Sequence, residues 1–323
     1  MTKYFKEKYA LSDAGAKDLV RGIWYSVLAY ISLMLPVALL ACVIDAMLSP
    51  LLTGKKGGSN TVLYLVIGVV ILIVIFIMHY MQYTVTYMGT YRESKRRRID
   101  LAEKLRTMPI RFFQQHELSD LTNTIMGDCA GFEHAFSHTV PQFWGSLIST
   151  GIVCVALIIY DWRMGLALLW VAPVAFAIVL LSEKLQSRLG QKHMDAKITL
   201  ADGIQECLET VQDIKACNQE EQYLKKLDEK IDHAEKAQIS SEMVSASLLT
   251  TGQMFLRLGL ATVIVVGNAL MMNGQTTLFS YILFLIAASR IYDPLSGAMA
   301  NMSELFGVNL QVKRLKNIQD YHE

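Results

Sequence analysis

Charge is scarce in this chain: Asp, Glu, Lys and Arg make up 18% of 323 residues, while 53% are hydrophobic, and mean hydropathy is +0.33. Soluble domains sit nearer a quarter charged, so the length does not describe two soluble domains. A net charge of +1 supplies no bulk field for nucleic acid, and no nucleic-acid partner is expected. The five cysteines, Cys42, Cys129, Cys154, Cys207 and Cys217, include no C-x-x-C pair. They read as apolar fillers or reduced thiols and not as a disulfide framework. No G-x-x-x-x-G-K-[ST] phosphate loop occurs, since Gly54-Lys-Lys-Gly-Gly58 lacks the spacing. No Ser/His/Asp or Cys/His arrangement is apparent, so no catalytic residue is expected. The N-terminus lacks a cleavable signal pattern: about 20 mixed-charge residues precede an apolar run too long for a signal core.

Long uncharged runs fill the space. A bilayer core needs about 20 apolar helical residues. Spans are expected near 23–44, 61–91, 139–160, 164–182, 253–272 and 278–297, after a cytoplasmic N-terminal segment over 1–22. Asn273-Gly274 splits the last long region into two spans, because Asn-Gly is a strong turn signal. Within the N-terminal segment, Leu11–Arg21 has the pattern of an amphipathic surface helix. Of the 30 Lys and Arg residues, 25 fall on one side of these spans and three on the other. By the positive-inside rule both termini are cytoplasmic. The outer turns are short, and the two inner connections run to about 45 and 60 residues. The second, Leu185–Lys236, is mostly strong helix formers with few large apolar residues, so the spans are expected to continue as helices into water. Thirty helical residues reach ~45 Å.

A few polar groups stand out. Arg257, Arg290, Asp293 and His79 lie within spans, where charge is costly and usually faces a cavity or a partner. Arg290 and Asp293 are three apart, share a helix face and can pair, and Pro294 follows. They are candidates for a substrate cavity; structural pairing or snorkelling at the interface is the plainer reading. His134 and His138 are four apart beside Glu133, with His116 nearby, but no H-E-x-x-H order appears, so polar packing is expected there and no metal. Arg92–Arg98 holds five basic residues, placed to set topology or attract anionic lipid.

Four segments in this order resemble the transmembrane domain of ATP-binding-cassette exporters. The run Leu101–Phe113 leads through Pro109 and the Phe112-Phe113 pair to Leu118–Asp128, with Ser119 where the family usually has Gly. Ile204–Cys217 is similar to the family's second inner loop, Asp161-Trp162-Arg163 to its tight third-to-fourth turn, and Gly274–Phe284, leading to Tyr292–Leu295, to its fifth-to-sixth turn and sixth helix. The resemblance covers nearly the whole chain. It implies an all-α membrane protein of six long transmembrane helices with two extended cytoplasmic helical hairpins, the type 1 exporter fold. It also implies a short docking helix at each hairpin tip: Ser119, Asp120, Leu121, Thr122 and Asn123 in the first, Glu209, Thr210, Val211, Gln212 and Asp213 in the second. The implied partners are a nucleotide-binding domain, a second transmembrane half, the bilayer and an unidentified transported substrate. ATP and Mg would sit on the nucleotide-binding domain, which is expected after residue 323, and Leu295-Ser296-Gly297 only chances on the start of the cassette signature. The implied location is the bacterial plasma membrane. An ATP-independent secondary transporter or channel, and a membrane-anchored scaffold, are the alternatives. Inverted repeats would mark the former, and none is apparent.

Overall fold

The computed structural model describes residues 1–53, 61–115, 126–127 and 129–319. Among them there are helices and turns and no strands. In chain order the helices are α1 (Thr2–Tyr9), α2 (Asp13–Ser32), α3 (Leu35–Thr53), α4 (Thr61–Thr107), α5 (Ile110–Gln115), α6 (Cys129–His134), α7 (Val140–Tyr160), α8 (Trp162–Leu169), α9 (Val171–Glu209), α10 (Val211–Ala216), α11 (Glu220–Met272) and α12 (Leu278–Gln319). A π-helical turn, Ala135–Thr139, joins α6 to α7. Among the described residues six stretches are long and apolar enough to cross a membrane: Asp13–Met47, Thr61–Thr107, Cys129–Tyr160, Trp162–Glu209, Glu220–Met272 and Leu278–Met302.

The breaks follow the prolines. Pro36 has no N–H for the Ser32 carbonyl, and the first span divides there: Met34 N–H turns back to the Ile31 carbonyl at 2.9 Å before α3 begins. The first span is therefore two helices, and not the single one expected. Pro173 likewise follows the interruption at Trp170 in the fourth. Pro141 cannot serve the Ser137 carbonyl, and the preceding turn widens so that Val140 N–H reaches Ala135. Pro294, in contrast, lies inside an unbroken α12. At the fifth-to-sixth turn Gly274 adopts φ 66°, a left-handed conformation that glycine takes without a Cβ clash.

The chain forms two compact units, Met1–Trp170 with Arg257–Glu323, and Val171–Leu256. In the first, α2 packs along α4 and α7, and α12 along α7 and α3. A core at one end of this unit gathers Phe5, Tyr9, Leu19, Ile23, Phe132, Phe136, Val140, Leu305 and Val308. Burying a large side chain such as Phe5 contributes about 2–3 kcal/mol. Leu65, Leu72 and Phe76 of α4 are exposed, as lipid-facing residues are. In the second unit, α9, α10 and the first part of α11 form a helical hairpin with α10 at its tip.

The N-terminal segment departs from expectation. Leu11–Arg21 is not a separate surface helix: from Asp13 it is the start of the first-span helix, and its apolar face packs in protein. The separate helix is α1, which ends with Ala10 at φ 49°. Two side chains of α4, one turn apart, hold the joint. Glu93 accepts from Ser12 N–H at 2.8 Å and Ser12 Oγ at 2.5 Å, and Ser12 in turn caps α2 by accepting from Gly15 N–H at 3.0 Å. Arg97 donates from Nη2 to the Tyr9 and Ala10 carbonyls at 2.9 and 2.6 Å and lies over the Phe132 ring at 3.9 Å. A Cβ on residue 15 would sit 2.4 Å from Glu93 Cδ, so Gly15 is needed for this approach. Arg97 is 3% exposed, and Arg98 is paired with Glu133 at 2.9 Å. Both arginines serve the protein's own packing and not a lipid headgroup.

Removing the Arg97 side chain leaves two carbonyls at the end of α1 without their charged donor, a loss of about 1.5–3 kcal/mol per bond. Arg97→Ala is expected to lower the melting temperature of the purified protein by at least about 6 °C, since the two bonds together are worth about 3 kcal/mol or more and 1 kcal/mol shifts a large domain by about 2–4 °C. Arg92→Ala, at an exposed position on the same helix, is expected to shift it by less than about 1 °C. Equal shifts in differential scanning fluorimetry would contradict the clamp.

Candidate functional site

At the tip of the second hairpin, α9 ends at Glu209 and α10 runs only from Val211 to Ala216. Thr210 does not cap α10; its hydroxyl donates back to the Glu206 carbonyl at 2.7 Å and closes α9. Gln205 Nε2 donates to Glu209 at 2.8 Å. The far end of α10 closes on Asn218, at φ 57°, with Gln219 N–H bonded to the Ile214 carbonyl at 3.1 Å and Asn218 N–H to Lys215 at 3.2 Å. This is the Schellman arrangement, with Asn in the left-handed position usually held by Gly. The short helix is thus fixed at its C-terminal end and has no buried residue. Val211, Gln212 and Asp213 are all exposed within the hairpin unit. The five sequence-expected residues at this tip, Glu209 to Asp213, are brought together on one turn. The corresponding first-tip residues, Ser119, Asp120, Leu121, Thr122 and Asn123, lie outside the described residues, as does His116.

The arms that carry the tip are long. α9 has 39 residues and α11 has 53. At 1.5 Å per residue α11 spans about 80 Å, far beyond a ~30 Å bilayer core. Within the hairpin, Lys230 of α11 faces Glu206 of α9 at 4.0 Å.

The four intramembrane candidates separate. Arg290 and Asp293 line one groove beside the break in the first span, with a volume of about 230 Å³. They form no ion pair among the described residues, contrary to the pairing that their spacing allows. Both side chains are exposed. His79 and Arg257 do not line this groove. His79 Nδ1 is bonded within its own helix, to the Ile75 carbonyl at 3.1 Å. Arg257, on α11, is exposed.

The histidines expected to pack take separate partners. His134 Nε2 lies 3.2 Å from Glu304 of α12, which also accepts from Thr139 Oγ1 at 2.5 Å. His138 is hydrogen-bonded to the Tyr87 hydroxyl of α4, and Glu133 accepts from Ser94. Among the described residues no three His, Cys, Asp or Glu side chains form a metal-holding group.

Sequence reasoning missed two sets of contacts. One is the Glu93–Arg97 clamp, whose only signal was an acid and a base four apart in a basic run. The other joins the third-to-fourth and fifth-to-sixth turns. Asp161 caps α8 through Arg163 N–H at 3.0 Å and accepts from Thr276 at 3.4 Å, while Arg163 donates to Gln275. Tyr160 and Ser280 hydroxyls meet at 3.0 Å.

The family model for the ABC transporter transmembrane region matches residues 24–294. No protein with a curated description matches the chain. The matched stretch begins inside the first-span helix and ends in α12 beside Asp293, so it takes in four of the six membrane-crossing stretches whole and parts of the other two, together with the hairpin tip. This is an integral membrane domain, of a kind that works with a lipid bilayer and a nucleotide-binding domain. The chain belongs to the ABC transporter transmembrane family, as an exporter-type six-helix domain.

Proposed function

We propose that this chain forms half of a substrate pathway and couples ATP hydrolysis on a nucleotide-binding domain to alternating access. The observation that carries the reading is the 39-residue and 53-residue helices flanking a six-residue helix, inside a chain of this family. A helix resists bending over such lengths because each residue is tied to the next turn. Displacement applied at the tip is therefore delivered to the spans as a rigid-body movement between two packed states, the hinge-and-shear mode of switching. A flexible loop would dissipate it.

In this reading α10 docks into the nucleotide-binding domain, with Val211 as its apolar contact and Glu209 and Asp213 facing basic residues there. Ser119 to Asn123 do the same at the first tip. ATP and Mg bind on the cassette domain and not on this chain. A second transmembrane half, identical or related, completes the pathway. In the same reading both tips and both chain ends are cytoplasmic, supported by the uneven Lys and Arg distribution. Arg290 and Asp293 face the pathway, where their charges are hydrated; His79 and Arg257 are weaker candidates for it.

The test uses the intact transporter reconstituted in proteoliposomes. Val211→Asp and the pair Glu209→Ala with Asp213→Ala are expected to lower transport per ATP hydrolysed about tenfold, equivalent to about 1.4 kcal/mol of lost coupling. The melting temperature should stay unchanged, because the side chains at α10 are exposed. Transport and ATPase rates that match the unaltered protein in both variants would remove α10 from the coupling interface. Transport that continues without ATP would restore the secondary-transporter reading.

A further inference from the structure

The groove between the broken first span and the sixth span has two kinds of wall. Leu33, Val37 and Leu40 recur at helical spacing along one side, and Ile286 faces them from α12. Arg290 and Asp293 stand at the charged end. Being three apart on one helix, they are within reach of each other, yet they are apart, exposed and without an ion-pair partner among the described residues. A lone charge within a membrane-crossing stretch is expensive and is retained where something recurrently satisfies it. Here there are two, of opposite sign, one helical turn apart. Pro36, which lines the groove, gives no N–H to the Ser32 carbonyl, and the first span is broken at the groove's edge. A half-helix break next to ionisable side chains is how membrane transporters expose polar backbone to a bound solute.

We propose that this groove binds the zwitterionic headgroup of a single-chain amphiphile, with its anionic end on Arg290, its cationic end on Asp293 and its chain along Leu33, Val37 and Leu40. The volume of about 230 Å³ holds a headgroup and a short length of chain, while the rest of the chain extends along the helix face. A purely anionic ligand would leave Asp293 repelled, and a purely cationic one would leave Arg290 repelled. A neutral amphiphile would leave both charges uncompensated. Opposite charges presented one turn apart therefore select for a molecule that carries both, which is specificity by complementarity as well as by penalty on the wrong ligand. The proposal rests on the transporter reading for its biological meaning, but the binding it describes needs no ATP.

The intact transporter in nanodiscs of phosphatidylglycerol, without nucleotide, provides the test. Equilibrium binding is measured for four amphiphiles with the same hexadecyl-length chain: lysophosphatidylethanolamine, lysophosphatidylglycerol, hexadecylamine and monopalmitoylglycerol, each corrected with empty nanodiscs. The zwitterion is expected to bind at least about tenfold tighter than the other three. Arg290→Gln and Asp293→Asn should each abolish that preference, Arg290→Lys and Asp293→Glu should keep it, and Lys184→Gln should leave it unaltered. Equal binding of all four headgroups, or a preference that survives both neutralising variants, would overturn the proposal. So would native mass spectrometry in which Arg290→Gln or Asp293→Asn turns a wild-type dimer into monomers, because the charges would then belong to an interface between copies. With nucleotide absent, failure here leaves ATP coupling standing, and loss of ATP coupling leaves this binding standing.

Discussion

Hydrocarbon offers no hydrogen bonds, so every backbone group at membrane depth must find a partner within the protein. That constraint makes this chain helical among its described residues and makes each interruption informative. The interruptions are few and have chemical causes. Pro36, Pro141 and Pro173 each withhold one donor, and Gly274 permits one tight reversal. The first of these borders the groove with Arg290 and Asp293. The second re-registers the third span where His138 meets Tyr87. At the first break, Pro36 and the charged side chains of Arg290 and Asp293 line the same groove.

Outside the bilayer water satisfies the backbone, and helices persist there for a different reason. Leu185–Lys236 is rich in strong helix formers and carries too few large apolar residues for a separate core. The result is a hairpin that is long and thinly packed, with a tip closed by Thr210 at the end of α9 and by left-handed Asn218 at the end of α10. Stiffness comes from backbone continuity and not from a core, which suits the lever role proposed for this hairpin. At the N-terminal end of the first unit the requirement is opposite. There α1 is fixed by a dense aromatic core and by Glu93 and Arg97 acting on adjacent sides of one joint.

Much of this was legible in the sequence, for physical reasons. A run such as Thr61–Met78 without charge has one stable environment, and Asn273-Gly274 has one favoured conformation, so spans and turn were readable. The uneven Lys and Arg distribution distinguished the long connections from the short ones. The arm preceding the fifth span was readable from composition, and it is one helix with that span. What the sequence hid was partner choice. Leu11–Arg21 shows the same amphipathic pattern whether its apolar face meets lipid or protein, and it meets protein around Leu19 and Phe132. Arg97 looks like any topology-setting arginine until Tyr9 and Ala10 are brought to it. Arg290 and Asp293 have ideal spacing for a pair, and only the structure shows them apart. The break at Leu33 was signalled by Pro36 and overridden by the uniform hydrophobicity around it. The first-tip residues Ser119 to Asn123 lie outside the described residues.

The central claim is that the second hairpin moves as one stiff body under the control of a nucleotide-binding domain. Spin labels at Lys192 and Glu229, on the two arms within one hairpin, report its internal rigidity; labels at Gln212 in each transmembrane half report its displacement. Pulsed electron paramagnetic resonance on the intact transporter, with and without ATP under conditions that block hydrolysis, reads both. The account predicts that ATP shortens the Gln212–Gln212 distance while the Lys192–Glu229 distribution stays narrow and unmoved. A Gln212 pair indifferent to ATP, or an arm-to-arm distribution that is broad in either state, would contradict it.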